Sequence, residues 1–62
     1  MITTILVVED NEDLQDFIKN LLLENNYSVL TSSNGISAMK VVEKSLPDLV
    51  ILDLGLPDIS GE

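Results

Sequence analysis

The chain has 62 residues, with 11 Asp and Glu against 3 Lys and Arg, a net charge of −8, and no His or Cys. That balance argues against a basic face for nucleic acid or an anionic membrane, and the missing residue types remove the usual zinc ligands and any disulfide. With 45% hydrophobic residues the chain can fold, yet it has neither an apolar run of the roughly 20 residues a membrane span needs nor a basic leader, so the expectation is one small, soluble, cytoplasmic domain.

In chain order, Ile5-Leu6-Val7-Val8 is a continuous, β-branched-rich run that ends in Glu9-Asp10. It reads as a strand covered on both faces, the habit of parallel sheets. Asn11 to Asp13 are polar, cap-forming residues suited to a strand-to-helix turn. Leu14, Phe17, Ile18, Leu21 and Leu22 recur at spacings of three and four, which predicts a helix over 12–24 with those residues in the core. Asn25-Asn26 is a helix stop, since Asn tolerates the left-handed conformation.

A second, shorter strand is predicted over 27–31. Ser32-Ser33-Asn34-Gly35 then form a turn with N-cap chemistry. Ile36, Met39, Val42 and Leu46, with Ala38 beside them, mark a second helix over 36–44, closed ahead of Pro47. The most hydrophobic stretch follows and predicts a third strand over 49–54. Gly55, Pro57, Ser60 and Gly61 make the remainder a loop. The order β-α-β-α-β implies a parallel sheet with right-handed crossovers. Ligands of such sheets sit beyond the carboxyl ends of the strands, where the strand order reverses.

Glu9, Asp10 and Asp53 all fall at such ends if the first and third strands are neighbours. Each alone reads as a solvated strand end. Three in register make an oxygen-rich pocket for a hard divalent cation. Magnesium keeps several waters and is satisfied by a few carboxylates. A neighbouring carboxylate can then act as nucleophile and form an acyl phosphate. Two rival acid motifs fit poorly. A haloacid-dehalogenase-type phosphatase needs a second Asp two residues after its nucleophile, where this chain has Gly55. An EF-hand loop starting at Asp10 would put Leu14 and Gln15 at its fifth and sixth positions, where it needs an oxygen ligand and a Gly.

The segments Ile-Leu-Val-Val-Glu-Asp-Asn at 5–11 and Pro-Asp-Leu-Val-Ile-Leu-Asp-Leu-Gly-Leu-Pro-Asp-Ile-Ser-Gly at 47–61 resemble the receiver domain of bacterial two-component response regulators. The resemblance covers essentially the whole chain but only the first half of that family's domain, whose five βα units form a flavodoxin-like sheet. It implies an α/β, truncated flavodoxin-like half-domain, a partial receiver over 1–62 with strand order 2-1-3. It further implies that Asp53 is the phosphoacceptor, that Asp10 binds magnesium directly and that Glu9 acts through a water. The Gly55 backbone carbonyl would be a third protein ligand, with Pro57 and Gly61 shaping the loop. A sensor histidine kinase or phosphotransfer protein would be the partner. The reading is a signalling module, not an enzyme.

The family also uses a Ser or Thr after its fourth strand and a Lys after its fifth, and neither strand is in the sequence. Lys19, Lys40 and Lys44 fall on predicted helices, and Ser60 reads as a turn former. The expectation is therefore weak magnesium binding and impaired switching. The alternative is a self-associating structural fragment without signalling of its own. In the family the third strand is internal. Without a fourth strand, 49–54 becomes an apolar edge, a template for pairing. That predicts a homo-oligomer, in its simplest form a two-fold dimer with a continuous sheet.

Overall fold

The structure is a computed structural model in which residues 2–52 are described. The expectations for Asp53, Leu54, Gly55, Pro57, Ser60 and Gly61 lie outside the described residues. The elements are β1 (Thr4–Val8), α1 (Glu12–Glu24), β2 (Ser28–Ser32), α2 (Gly35–Ser45) and β3 (Leu49–Leu52). All strand pairs are parallel, and the sheet order is β2-β1-β3, as the sequence predicts.

The chain steps from β1 to β2 on one side and then returns across β1 to β3. With right-handed crossovers, that reversal puts the two helices on opposite faces of the sheet. β1 is central and flanked on both sides, which is why Leu6, Val7 and Val8 are fully buried. Leu6 and Val8 pack with Ala38, Leu30 and Val41 on the α2 side. Ile5 and Val7 alternate to the other face, toward α1.

Local chemistry sets the ends of the helices. Asn11 caps α1, its Oδ1 accepting from the Leu14 N–H at 3.0 Å. Asn34 caps α2 in the same way, accepting from the Ser37 N–H at 2.8 Å. Each cap satisfies one of the orphan donors of a first helical turn. After α1, Asn26 takes φ 70°, the left-handed stop expected of the Asn pair. After α2, Leu46 takes φ 47° and donates its N–H to Val42 O at 3.1 Å.

Two sequence expectations need correction. The second strand is shifted by one residue. Tyr27 belongs to the close of α1, its N–H donating to Leu22 O at 3.1 Å. Ser32, expected in the turn, is instead the buried last residue of β2, paired with Val8. The helix stripes also do not bury as expected. Leu14, Phe17 and Leu21 on α1 are exposed, as are Ile36, Met39, Val42 and Leu46 around α2, with Phe17 at 65% and Met39 at 69%. The buried residues of α2 are Gly35 and Ala38.

The physical reason is that periodicity identifies residues sharing a face but not what lies opposite. Both helices lie over β2 and β1 and neither covers β3, so their flanking apolar residues stay largely exposed to solvent. Gly35 and Ala38 are small, which lets α2 approach the sheet along that line. No helix among the described residues is long and apolar enough to cross a membrane.

At the amino end of the sheet, Asp48 clamps β3 to β1. Thr4 N–H donates to Asp48 Oδ2 at 2.8 Å, and Asp48 N–H donates to Thr4 O at 2.8 Å. The clamp fixes the register in which Val8 pairs with Leu52. Asp48→Ala removes the side-chain bond but leaves the main-chain one. Because the site is exposed, water replaces part of the loss. The expected cost is about 0.5–1.5 kcal/mol, read as a lower urea midpoint. An unchanged midpoint would show that the side-chain half of the clamp contributes nothing.

Candidate functional site

The site is built on the carboxyl end of β1. The buried strand ends at Val8, and Glu9 and Asp10 follow before the Asn11 cap of α1. The two acids are treated differently. Glu9 is 3% exposed, whereas Asp10 is exposed to solvent. Glu9 continues the pairing of β1 with β2 beyond the strand, its N–H donating to Ser32 O at 2.9 Å. Its Oε2 accepts from the Asn11 N–H at 3.0 Å. The side chain of Glu9 is thus folded back onto the turn that starts α1, and Asp10 is presented outward.

Gln15 closes the arrangement. Its Nε2 lies 3.1 Å from Glu9 O and 3.1 Å from Ser32 O. Sequence reasoning missed this role, considering Gln15 only as an unsuitable EF-hand position. A signal was nonetheless present. Gln15 stands three residues before Ile18 and seven before Leu22, on the stripe of α1 that turns toward the sheet. A polar side chain at such a position needs a hydrogen-bond partner.

A cleft of about 470 Å³ opens at this end of the sheet, lined among others by Glu9, Asp10, Gln15, Ser32, Ser33 and Ser37. It lies toward the ends of β1 and β2. The reversal of strand order, where ligands of such sheets bind, lies instead between β1 and β3. Glu9 and Asp10 stand on the central strand and border both. β3 reaches the same level, since Leu52 is the register partner of Val8. Asp53 and Gly55, the remaining members of the predicted constellation, lie outside the described residues.

No group of three or more His, Cys, Asp or Glu that could hold a metal ion occurs among the described residues. The two acids that are described fit magnesium by the chemistry of their donors. Both offer hard oxygens, and magnesium sites commonly use one or two carboxylates and complete their coordination with water.

Residues 5–62 match the family model for the response regulator receiver domain. The chain belongs to this family. Receiver domains are signalling modules of two-component systems, and the β2-β1-β3 parallel sheet is the arrangement of their flavodoxin-like fold. Over 59 residues the chain is 44% identical to histidine kinase P4 of Formosa agariphila, covering 95% of this chain and 4% of that protein. It is 41% identical over 59 residues to the transcriptional regulatory protein KdpE of Mycobacterium tuberculosis, covering 95% of this chain and 26% of the relative. The polar-differentiation response regulator DivK of Brucella anthropi is 31% identical over 58 residues, covering 94% of this chain and 47% of DivK. The chain thus spans less than half the length of each of these relatives.

A crystal structure gives the same result for the fold. The signal receiver domain of a Vibrio parahaemolyticus protein described as a Luxo repressor superposes with a TM-score of 0.87 at 36% identity. The match covers 98% of this chain and 47% of that one.

Proposed function

We propose that this receiver sequence carries a phosphoacceptor site in which Asp53 is the nucleophile and Glu9 and Asp10 hold magnesium. One observation carries the reading: Glu9 and Asp10 follow the buried central strand at the level that β3 reaches with Leu52. In this assignment Asp10, exposed at the strand end, is the direct ligand. Glu9, with Oε2 already accepting from Asn11 N–H, acts through a water. The carbonyl of Gly55 is the further protein ligand, and Pro57 and Gly61 shape the loop after the acceptor.

The reaction class is phosphoryl transfer from a phosphohistidine of a sensor kinase or phosphotransfer protein. An Asp53 carboxylate oxygen forms the new P–O bond while the P–N bond of the donor breaks, giving an acyl phosphate and a free imidazole. Bound magnesium would supply neutralisation of phosphoryl charge. The chain's own part is to hold Glu9 and Asp10 on rigid backbone and to present the acceptor beside them. The domain works as a signalling module in the cytoplasm, with no nucleic-acid or membrane contact by this segment.

The test is a magnesium titration of the 62-residue chain followed by amide NMR. Shifts should concentrate at Asp10, Asp53 and Gly55. Asp10→Asn should weaken the response by more than about 10-fold, the order found for loss of even an indirect partner of a metal. Shifts near Asp10 no larger than those elsewhere would defeat the reading.

A second reading, self-association, is favoured by a separate observation. β3 pairs only with β1 among the described residues, and its Leu49, Val50 and Leu52 are exposed. An exposed apolar edge of this kind is a template for pairing, and a second copy of the chain is the partner this reading assigns to it.

A further inference from the structure

We infer that Gln15 is a positioning residue for the acidic pair: its carboxamide ties the Glu9–Asp10 peptide to the end of β2 and so holds Asp10 in the geometry that receives the cation. The inference rests on the magnesium reading of Glu9 and Asp10 given above.

The geometry is a closed set of three hydrogen bonds. Glu9 N–H donates to Ser32 O at 2.9 Å. Gln15 Nε2 donates to that same Ser32 O at 3.1 Å and to Glu9 O at 3.1 Å. A carboxamide nitrogen carries two hydrogens, so it can make both bonds at once. Both partners are carbonyl oxygens, so only the nitrogen of the amide can face them, and the orientation of the side chain is set by chemistry. Glu9 and Ser32 are buried, and Gln15 is half-buried, so competition from water is reduced and the bonds gain strength.

The consequence for Asp10 follows from covalent structure. The Glu9 carbonyl belongs to the planar peptide whose nitrogen is that of Asp10. Fixing that carbonyl fixes where the Asp10 backbone begins. On the far side of Asp10, the Asn11 N–H is held by Glu9 Oε2 at 3.0 Å. The exposed acid is therefore held between two restrained peptides. Groups that orient a ligand without touching the metal typically govern affinity by 10–100-fold. The location of Gln15 in the first half of α1 also makes it a tie between helix and sheet, which is the purely structural account of the same bonds.

Magnesium binding measured on variants of the 62-residue chain separates the two accounts, with magnesium ion alone as ligand, Asp10 and Asn11 amide shifts as the readout, and thermal unfolding in parallel. Gln15→Met keeps the stem and removes both donors. It should weaken magnesium binding by about 10-fold. Asp48→Ala loosens the sheet at its opposite end and should lower the melting temperature without changing affinity. Parent-like affinity in Gln15→Met, with binding lost in Asp10→Asn, would overturn the inference. So would equal losses in Gln15→Met and Asp48→Ala, because affinity would then follow stability alone. Parent-like affinity in Asp10→Asn would instead remove the magnesium reading itself.

Discussion

Replacing Asp53 with Asn should abolish phosphoryl incorporation from a small donor such as acetyl phosphate. Asp53 is the acid assigned as acceptor by the receiver resemblance, and the other acids of the site have different tasks. Glu9 is buried and holds the Asn11 N–H, and Asp10 is the proposed cation ligand. In the unsubstituted 62-residue chain, incorporation should be slow. Its cations are Lys19 on α1 and Lys40 and Lys44 on α2, none of them at the carboxyl end of a strand. Removing one preorganised donor to developing oxyanion charge costs on the order of 10²–10³ in rate. Labelling should therefore be about that much slower than in a receiver that carries the family's Lys after its fifth strand, and it should fall further when magnesium is chelated. Mass spectrometry of the labelled chain provides the check. Label retained in Asp53→Asn would place the acceptor elsewhere, and rapid labelling with a structural change like that of an intact receiver would remove the expectation of impaired switching.

Placing a charge on β3 should convert a self-associated chain to monomer. Among the described residues β3 has no helix over either face and no strand partner other than β1, and its Leu49, Val50 and Leu52 are exposed. Such edges pair with other chains unless they are blunted by charge, proline or a bulge, and Leu49 to Leu52 carry none of these. Each backbone group buried without a partner costs roughly 1–3 kcal/mol, which favours pairing over simple apolar burial. Antiparallel pairing of β3 with its two-fold mate would give one continuous six-stranded sheet. The rival is exchange of a helix or strand between copies. Either arrangement should fail with Lys at Val50 or Ile51. The net charge of −8 opposes association, so the dimer should tighten as salt screens it. Sedimentation at micromolar concentration provides the check. A folded monomer that Ile51→Lys leaves unchanged would sink this proposal.

Much of the fold was legible in the sequence because it depends on local chemistry. The β-branched run 5–8, the Asn caps at 11 and 34 and the Asn26 stop each act within a few residues, and the ends of β1, α1, β2 and α2 and the start of β3 fell within a residue or two of the expected positions. The alternation of strands and helices was enough for the parallel sheet and its 2-1-3 order, given the handedness of crossovers and the receiver resemblance. The acid pair Glu9-Asp10 was legible for a similar reason: it directly follows a strand whose end the sequence marks.

What surrounds each element was decided only by the tertiary structure. The stripes of α1 and α2 were read correctly as helical, but Phe17 and Met39 are exposed because neither helix lies over β3. A stripe records spacing along one helix, whereas burial depends on a partner brought from a distant part of the chain. Ser32 was read as turn chemistry, yet it is buried because it pairs with Val8, twenty-four residues away in sequence. Gln15 stood in the sequence as one polar residue of a helical stripe. Its bonds to Glu9 O and Ser32 O exist only because α1 packs beside the ends of two strands, and that convergence of three segments made it part of the site.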